Sequence, residues 1–401
     1  LSGSKIDQGG DCMKKSIMAA VVIGACCQMA HAKEGAQLYG VIDMGIERLT
    51  YDNTSLNRLG SGVQSTDRIG IRGQENLGGG LQTFFYVETG FCGNGTNSFP
   101  GSLVYKGDNS AVGSSVCSGG GFMGRLSVLG LKSRYGVFKA GRFYSLNYDN
   151  LVKIDPFMTG MTGAVKNIDP AGYNYVRFSQ AVGYRTPDFG GLTAAMLYAF
   201  GGQPGSFSKG QSYELNVDYE SKKFTAGIDY LKNNHPYSAG SKFNPYVALA
   251  WEFGPAATLT QQGSFNNEVV QLYGGYDFSV AKLTALYSDE KYGDGLPYAA
   301  GHFVPDLKIW MLGATIPLPR GKFLASISRR SDMNKSDTTA TQVAIGYLYP
   351  LSKRTNIYTS YSRIRNDSAT DLYVGDNGFT AQGTVGGASA SGLTIGLRHF
   401  F

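Results

Sequence analysis

The residues that can do chemistry in this chain are charged, and they fall into two groups. Arg68, Arg72, Arg125, Arg142 and Arg177 sit in runs that alternate apolar and polar side chains. Asp149, Asp155 and Asp169 lie in the stretch from Ser145 to Tyr175, with Lys153, Lys166 and the pairs Asp155-Pro156 and Asp169-Pro170. Arginine keeps its charge beside other cations because its pKa exceeds about 12. Rows of arginine facing rows of aspartate across water make a transverse field that orients dipolar solutes and biases ions by sign. That is the chemistry of passage, not of bond breaking. Three arginines, Arg68, Arg125 and Arg177, against two pore-facing aspartates predict a mild anion preference. Which of the three aspartates reach the pore stays open. The bland reading of each arginine is a salt bridge that only braces the loop.

Other chemistries lack their residues. Of four histidines, His31 falls in an N-terminal leader, His235 and His302 fall in loops, and His399 falls on the apolar face of the last run. None pairs with a Ser or Asp as nucleophile and base. No metal-ligand spacing occurs and no CxxC is present. The Gly-rich Asn76 to Leu81 joins two strand-like runs and lacks the helix a phosphate cradle needs. The expectation is a protein that is not an enzyme and holds no cofactor or metal. An outer-membrane hydrolase is the runner-up from another class. A substrate-specific channel for a sugar or organic acid is a further alternative; it would want an aromatic track, which Tyr173 and Tyr175 could begin.

The elements that must position these charges are strands. Tyr213, Leu215, Val217 and Tyr219 interleave with Glu214, Asn216, Asp218 and Glu220, one apolar and one polar face per run. The same template marks 38–50, 65–76, 80–90, 122–133, 135–144, 176–186, 191–200, 211–220, 223–231, 268–278, 281–290, 307–316, 322–331, 340–349, 354–364 and 392–401, about sixteen strands. Tight turns alternate with long loops, matching periplasmic turns and extracellular loops. Residues 232–267 read as a long external loop containing a hairpin; counting its strands would give about eighteen. The stretch between 144 and 176 is a loop of about thirty residues, long enough to be functional, and is expected to fold into the barrel and face the arginines.

Composition agrees. Charged residues are 16% of 401, Gly numbers 56, and Tyr (26) and Phe (22) far exceed Trp (2). Mean hydropathy is −0.16, and no apolar run after Lys33 reaches the length of a membrane helix. The net charge of +6 is spread along the chain, without the dense basic run that nucleic acid would want. Residues 13–32 read as a secretory signal, with Lys14 and Lys15, an apolar Ile17 to Cys27 and Ala30-His31-Ala32 as the cleavage site. A lipoprotein reading at Cys26 is the alternative. Residues 1–12 read as upstream sequence outside the native protein, leaving 33–401 as one barrel domain. Cys92 and Cys117 then remain and read as one disulfide.

A soluble barrel hides its apolar face inside. Here one face of the strands carries Arg68 with Arg72, Glu214 with Asp218, and Arg330 with Ser326 and Ser328. Only a wide, wetted barrel of about sixteen strands accommodates that. Aromatics near strand ends, Tyr347 and Tyr349, Tyr276 and Phe278, and Phe84 to Tyr86, are expected in interfacial girdles. The chain stops on an alternating strand whose apolar face ends in Leu397, His399 and Phe401. Such a strand can pair with the first and remove both sheet edges.

With these stretches in hand, the chain resembles the general porins of Gram-negative bacteria, particularly their β-proteobacterial branch. The likeness rests on LYGVIDMGIE (38–47), DRIGIRGQENLGGGLQTFFYVETGF (67–91), GRLSVLGLKSRYGVFKAGRFYS (124–145), VGYRTPDFGGLTAAMLY (182–198) and GLRHFF (396–401). The resemblance implies an all-β transmembrane barrel of sixteen antiparallel strands with an inward-folded constriction loop. It further implies general diffusion of small hydrophilic solutes and ions, a homotrimer, and a setting of outer-membrane lipid and lipopolysaccharide. It puts Arg68, Arg125 and Arg177, and more weakly Arg142, on the basic wall of the constriction. It makes the terminal strand, with Phe401, a signal for the barrel-assembly machinery. The loop departs from enteric members in carrying Asp155-Pro156-Phe157, and the Cys92–Cys117 pair is not a general feature of the family.

Overall fold

Period-two alternation becomes strand nearly wherever it occurs. The computed structural model describes residues 35–94, 123–237, 242–243, 257–258, 263–294, 305–375 and 386–401. The leader expected at 13–32 and Cys117 lie outside the described residues. The strands are β1 (Gly35–Tyr51), β2 (Thr54–Ser61), β3 (Arg68–Gly78), β4 (Leu81–Gly90), β5 (Leu126–Ser133), β6 (Gly136–Tyr144), β7 (Arg177–Arg185), β8 (Leu192–Ala199), β9 (Ser212–Glu220), β10 (Phe224–Tyr237), β11 (Gly263–Asp277), β12 (Lys282–Asp294), β13 (Asp306–Leu318), β14 (Gly321–Asp332), β15 (Ala340–Pro350), β16 (Thr355–Asn366) and β17 (Ala390–Phe400).

All seventeen belong to one antiparallel sheet that closes on itself through β1 and β17. They fill sixteen positions, because β2 and β3 share one. The second half of β1 pairs with β2, its first half with β3. Between β2 and β3, residues 62–67 leave the sheet. The sequence had marked no strand at β2, whose Leu56 and Leu59 are three apart and break the alternation. Where the alternation predicts a long loop, β10 runs on to Tyr237 and β11 starts at Gly263, and Lys242–Phe243 pairs with Ala257–Thr258. The hairpin strand expected at 246–253 lies outside the described residues. No described helix is long and apolar enough to cross a membrane.

The two faces are inverted relative to a soluble protein. Ile46, Leu129 and Ile395 are more than half exposed on the outer wall, while Asp43, Glu47, Glu214, Asp229, Glu290 and Arg330 are buried on the inner one. Closure is sealed at the last residue. Phe401 and Gly40 exchange two backbone hydrogen bonds of 3.1 Å. A side chain at position 40 would overlap the Phe401 ring, so glycine there lets the terminal aromatic lie on the first strand. Girdle pairs Tyr276–Phe278 and Tyr347–Tyr349 pack ring to ring at 4.6 and 6.5 Å. The expectation for Phe84 to Tyr86 is corrected. Phe84 pairs with Gly130 and Tyr86 with Arg72 and Val128, so both share the inner face with Glu88, and Phe85 alone faces out.

Candidate pore constriction

The loop between β6 and β7 turns inward at once. Helix α1 (Leu146–Ile154) is capped by Ser145, whose hydroxyl accepts from the Tyr148 amide at 2.9 Å. Its next free amides are met from the wall: Leu146 and Asn147 donate to Glu214 of β9 at 2.8 and 2.5 Å. A carboxylate at a helix N-terminus satisfies orphan donors and favours the macrodipole. The chain then crosses to the far wall. There Thr162 and Ser360 share a 2.7 Å hydroxyl contact, Gln342 donates to the Gly163 and Ala164 carbonyls, and Met161 donates to the Val63 carbonyl at 2.7 Å. The break at 62–67 is thus the landing place of the loop. Space for it is cut by glycines: side chains at Gly313, Gly346 and Gly392 would meet Pro156, Phe157 and Thr162. A 3₁₀ turn (Val165–Asn167) and α2 (Ala171–Asn174) lead back to β7. A second segment also folds in. Leu372, Tyr373 and Val374 are fully buried, Tyr373 lies 5.4 Å from the Tyr51 ring, and the Gly375 amide donates to Asn167 at 3.2 Å.

The arginines assemble around a residue that no sequence motif marks, Glu88 of β4. Arg125 approaches its carboxylate at 2.8 Å, Arg68 at 3.3 Å, and the Tyr39 hydroxyl donates to it at 3.1 Å. Arg125 also donates to the Tyr144 hydroxyl at 2.8 Å. Arg177 stacks over the Tyr144 ring at 4.6 Å and donates to its hydroxyl at 3.3 Å. Tyr144 in turn stacks on Tyr148 of α1, centroids 5.3 Å apart. Three cations therefore surround one carboxylate and meet the loop through two tyrosines. Arg125 is 3% exposed and Arg68 23%, so the second offers more charge to the water. Arg72, four residues along on the same face, lies 5.3 Å from the Tyr39 ring. Glu88 was readable from β4, where it alternates with the outward Val87; nothing in the sequence marked its partners.

Several expectations are corrected. Arg142 pairs with Ser127 and shares the outer face with the exposed Leu129. Its guanidinium donates to the Gly124 carbonyl and the Ser179 hydroxyl, both at 2.6 Å, with Arg177 and Arg125 as its nearest charges. Leu126 and Val128 face inward with Glu88, so the β5 alternation does not aim Arg125. It reaches Glu88 because it precedes the strand.

Asp155 is 2% exposed and accepts from the Phe157, Thr159 and Val165 amides, each at 3.0 Å. It organises the loop and does not face the pore. Burial outweighs those donors and the nearby Lys166, and pushes its carboxyl up to about 6. Asp169 is fully buried, accepts from the Gly172 amide at 3.0 Å and reaches the carboxyl of Glu290. Burial raises its pKa as well. Two carboxyl groups in contact share a proton, so this aspartate latches the loop to β12. Asp149, on the side of α1 turned to the lumen, is the exposed member of the three, with Lys139 and Arg185 as its nearest charges. Tyr175 is 5% exposed, accepts from Asn267 at 2.7 Å and stacks on Phe178, so it starts no aromatic track. Cys92 is disulfide-bonded.

Comparison with known proteins agrees with this geometry. A family model described as Gram-negative porin matches residues 19–369. Outer membrane porin protein 32 of Delftia acidovorans is 27% identical over 97% of this chain and all of its own length. Among solved structures, an anion-selective porin from Comamonas acidovorans superposes with a TM-score of 0.72 at 24% identity, covering 92% of this chain and 100% of its own. The trimer form of OmpT, an outer-membrane protein of Vibrio cholerae, superposes at 0.60 with 16% identity, over 92% of this chain and 99% of its own.

Proposed function

The chain belongs to the Gram-negative porins, and from that premise we propose that its pore favours anions weakly. It is a general porin of the outer membrane, a channel and not an enzyme, through which small hydrophilic solutes and ions pass passively. The observation that carries the preference is the excess of three arginines over one carboxylate at Glu88. Two of the three loop aspartates are turned into the loop's own hydrogen bonds. The proposed constriction sets Arg68, Arg72, Arg125 and Arg177 against Asp149, with Asp155 and Asp169 shaping the loop. The anion selectivity in the name of the Comamonas porin points the same way. Replacing Arg68→Gln and Arg177→Gln together leaves Arg125 paired with Glu88. The reversal potential in a salt gradient should then move toward cations; an unmoved potential would remove these residues from the ion path.

The assembly belongs to the same reading. A homotrimer, supported by the trimer form of the Vibrio protein, should give three conductance steps per insertion. Lipopolysaccharide and outer-membrane lipid surround it, residues 13–32 leave as a signal, and Cys92 pairs with Cys117. The strand end Leu397, His399 and Phe401 is the part offered to the barrel-assembly machinery, supported by the Phe401 ring lying on Gly40. Phe401→Ser should lower outer-membrane yield while periplasmic chain accumulates; normal yield would discard that role.

A further inference from the structure

Phe84 and Tyr86 stand on the lumen face of β4, and neither a membrane girdle nor the arginine cluster uses them. With Glu88 they make the inner face of that strand, in steps of about 7 Å. The row runs from the arginine cluster toward the tight turn between β3 and β4, the periplasmic end. The two rings lie 5.8 Å apart, edge to face. Phe84 lies over Gly130 of β5, where any side chain would overlap its ring. Tyr39 of β1 lies in the same way over Gly70 of β3. A ring laid on a glycine of the next strand turns its other face to the water of the pore. Phe84, Tyr86 and Tyr39 are all partly exposed on this inner wall.

Arg72 stands among these rings. It is paired with Tyr86 across the β3–β4 ladder, and its guanidinium is 5.3 Å from the Tyr39 ring. Phe84 is its diagonal neighbour, about 7 to 8 Å away. Among the described residues Arg72 has no ion pair or hydrogen bond. Glu88, the next acid along β4, is taken by Arg68 at 3.3 Å and Arg125 at 2.8 Å. A cation with no counter-charge, set among aromatic faces, fits one kind of solute. The guanidinium takes a carboxylate by two parallel hydrogen bonds. The rings take a flat aromatic body, stacked or edge on. A sugar would leave the guanidinium without its partner, and an inorganic anion would leave the rings without theirs.

We propose that Arg72, Tyr39, Tyr86 and Phe84 form a subsite for aryl carboxylates on the periplasmic side of the constriction. This rests on the anion-favouring pore and adds to it a solute class held in passage, while other small solutes diffuse by. The test uses the full-length protein in planar bilayers carrying chloride current at neutral pH. Benzoate and cyclohexanecarboxylate are added in turn; they match in charge and nearly in size, and only the first has an aromatic face. Benzoate should reduce the current saturably, with half-block at a concentration at least about fivefold below that of cyclohexanecarboxylate. Phe84→Leu with Tyr86→Leu should bring the two probes within about twofold of each other, each read against the chloride current of the same variant. Arg72→Gln should weaken the block by both probes. Equal block of the native pore by the two, an effect of benzoate that never saturates, a benzoate preference that survives loss of both rings, or block indifferent to Arg72→Gln overturns the subsite. The comparison of probes on the native pore needs no variant, so it decides the matter even if a replacement fails to fold. The reversal potential in a chloride gradient tests the anion-favouring pore by itself. A potential without anion preference sinks that reading, whereas two probes of equal charge that block alike sink the subsite alone.

Discussion

Glu88 on the wall and Asp155 in the constriction loop are both buried carboxylates, yet they do opposite work. Glu88 sits on a strand whose backbone is already satisfied by the ladder, so its side chain is free to gather Arg68 and Arg125. Asp155 sits on a chain that crosses a lumen with no strand beside it. Its oxygens are taken by three amides of the loop itself. The difference follows from the accounting of backbone groups, since every buried N–H must find an acceptor. A wall can devote its charges to the field in the pore, whereas a free-standing loop must devote them to its own shape. In this pore the field is therefore dominated by the basic side.

The bluntest way to break that comparison is to remove the loop. Deleting residues 150–168 should raise single-channel conductance severalfold while the barrel still closes, because the β1–β17 ladder does not involve it. Unchanged conductance would mean that the loop does not set the bore.

A finer cut exchanges one charge at a time. Glu88→Gln removes the carboxylate at the centre of the arginine cluster and should strengthen anion preference. A unit charge about 4 Å from an ion is worth about 1 kcal/mol in water, and screening trims it. The permeability ratio should therefore shift roughly two- to fivefold. Asp169→Asn, buried against Glu290, should leave the ratio unchanged in the same bilayers and alter only how firmly the loop is held. An equal shift from both variants would erase the distinction between wall and loop.

How much of this could be read beforehand follows the same divide. The strand positions were legible because period two with one apolar face has few other meanings, and the terminal Leu397, His399 and Phe401 fell on the outer face that alternation gave them. β2 was not legible, since Leu56 and Leu59 lie on no common period. Arg142 could not be placed from its neighbours. Its face is fixed by pairing with Ser127, just before the irregularity that shifts β6 against β7. Asp155 and Asp169 looked like pore carboxylates because residue type and length of loop were all that showed. Their partners are amides two to ten residues away and a glutamate of β12, which exist only once the loop has folded. The glycines that admit the loop, Gly313, Gly346 and Gly392, are likewise marked by nothing in their own strands.

The smallest effect tests the loop's internal carboxylate directly. With its pKa raised from 3.8 to about 6, Asp155 favours the docked loop in its protonated form. The contribution is fully present below about pH 4 and is lost as pH rises through about 6. At 1.36 kcal/mol per pKa unit the whole effect is about 3 kcal/mol at most. Loop docking, read as the rate of spontaneous closures or as protease resistance of residues 150–168 in the folded barrel, should strengthen between pH 7 and pH 4. Asp155→Asn removes this titration, so its profile should be shallower over that interval, with the Asp169–Glu290 latch supplying what remains. Anion preference measured alongside should not follow the profile, because Asp155 is sealed from the lumen. If selectivity moved with the same midpoint, this carboxylate would belong to the pore after all, and the division between wall and loop would fail at the residue that best expresses it.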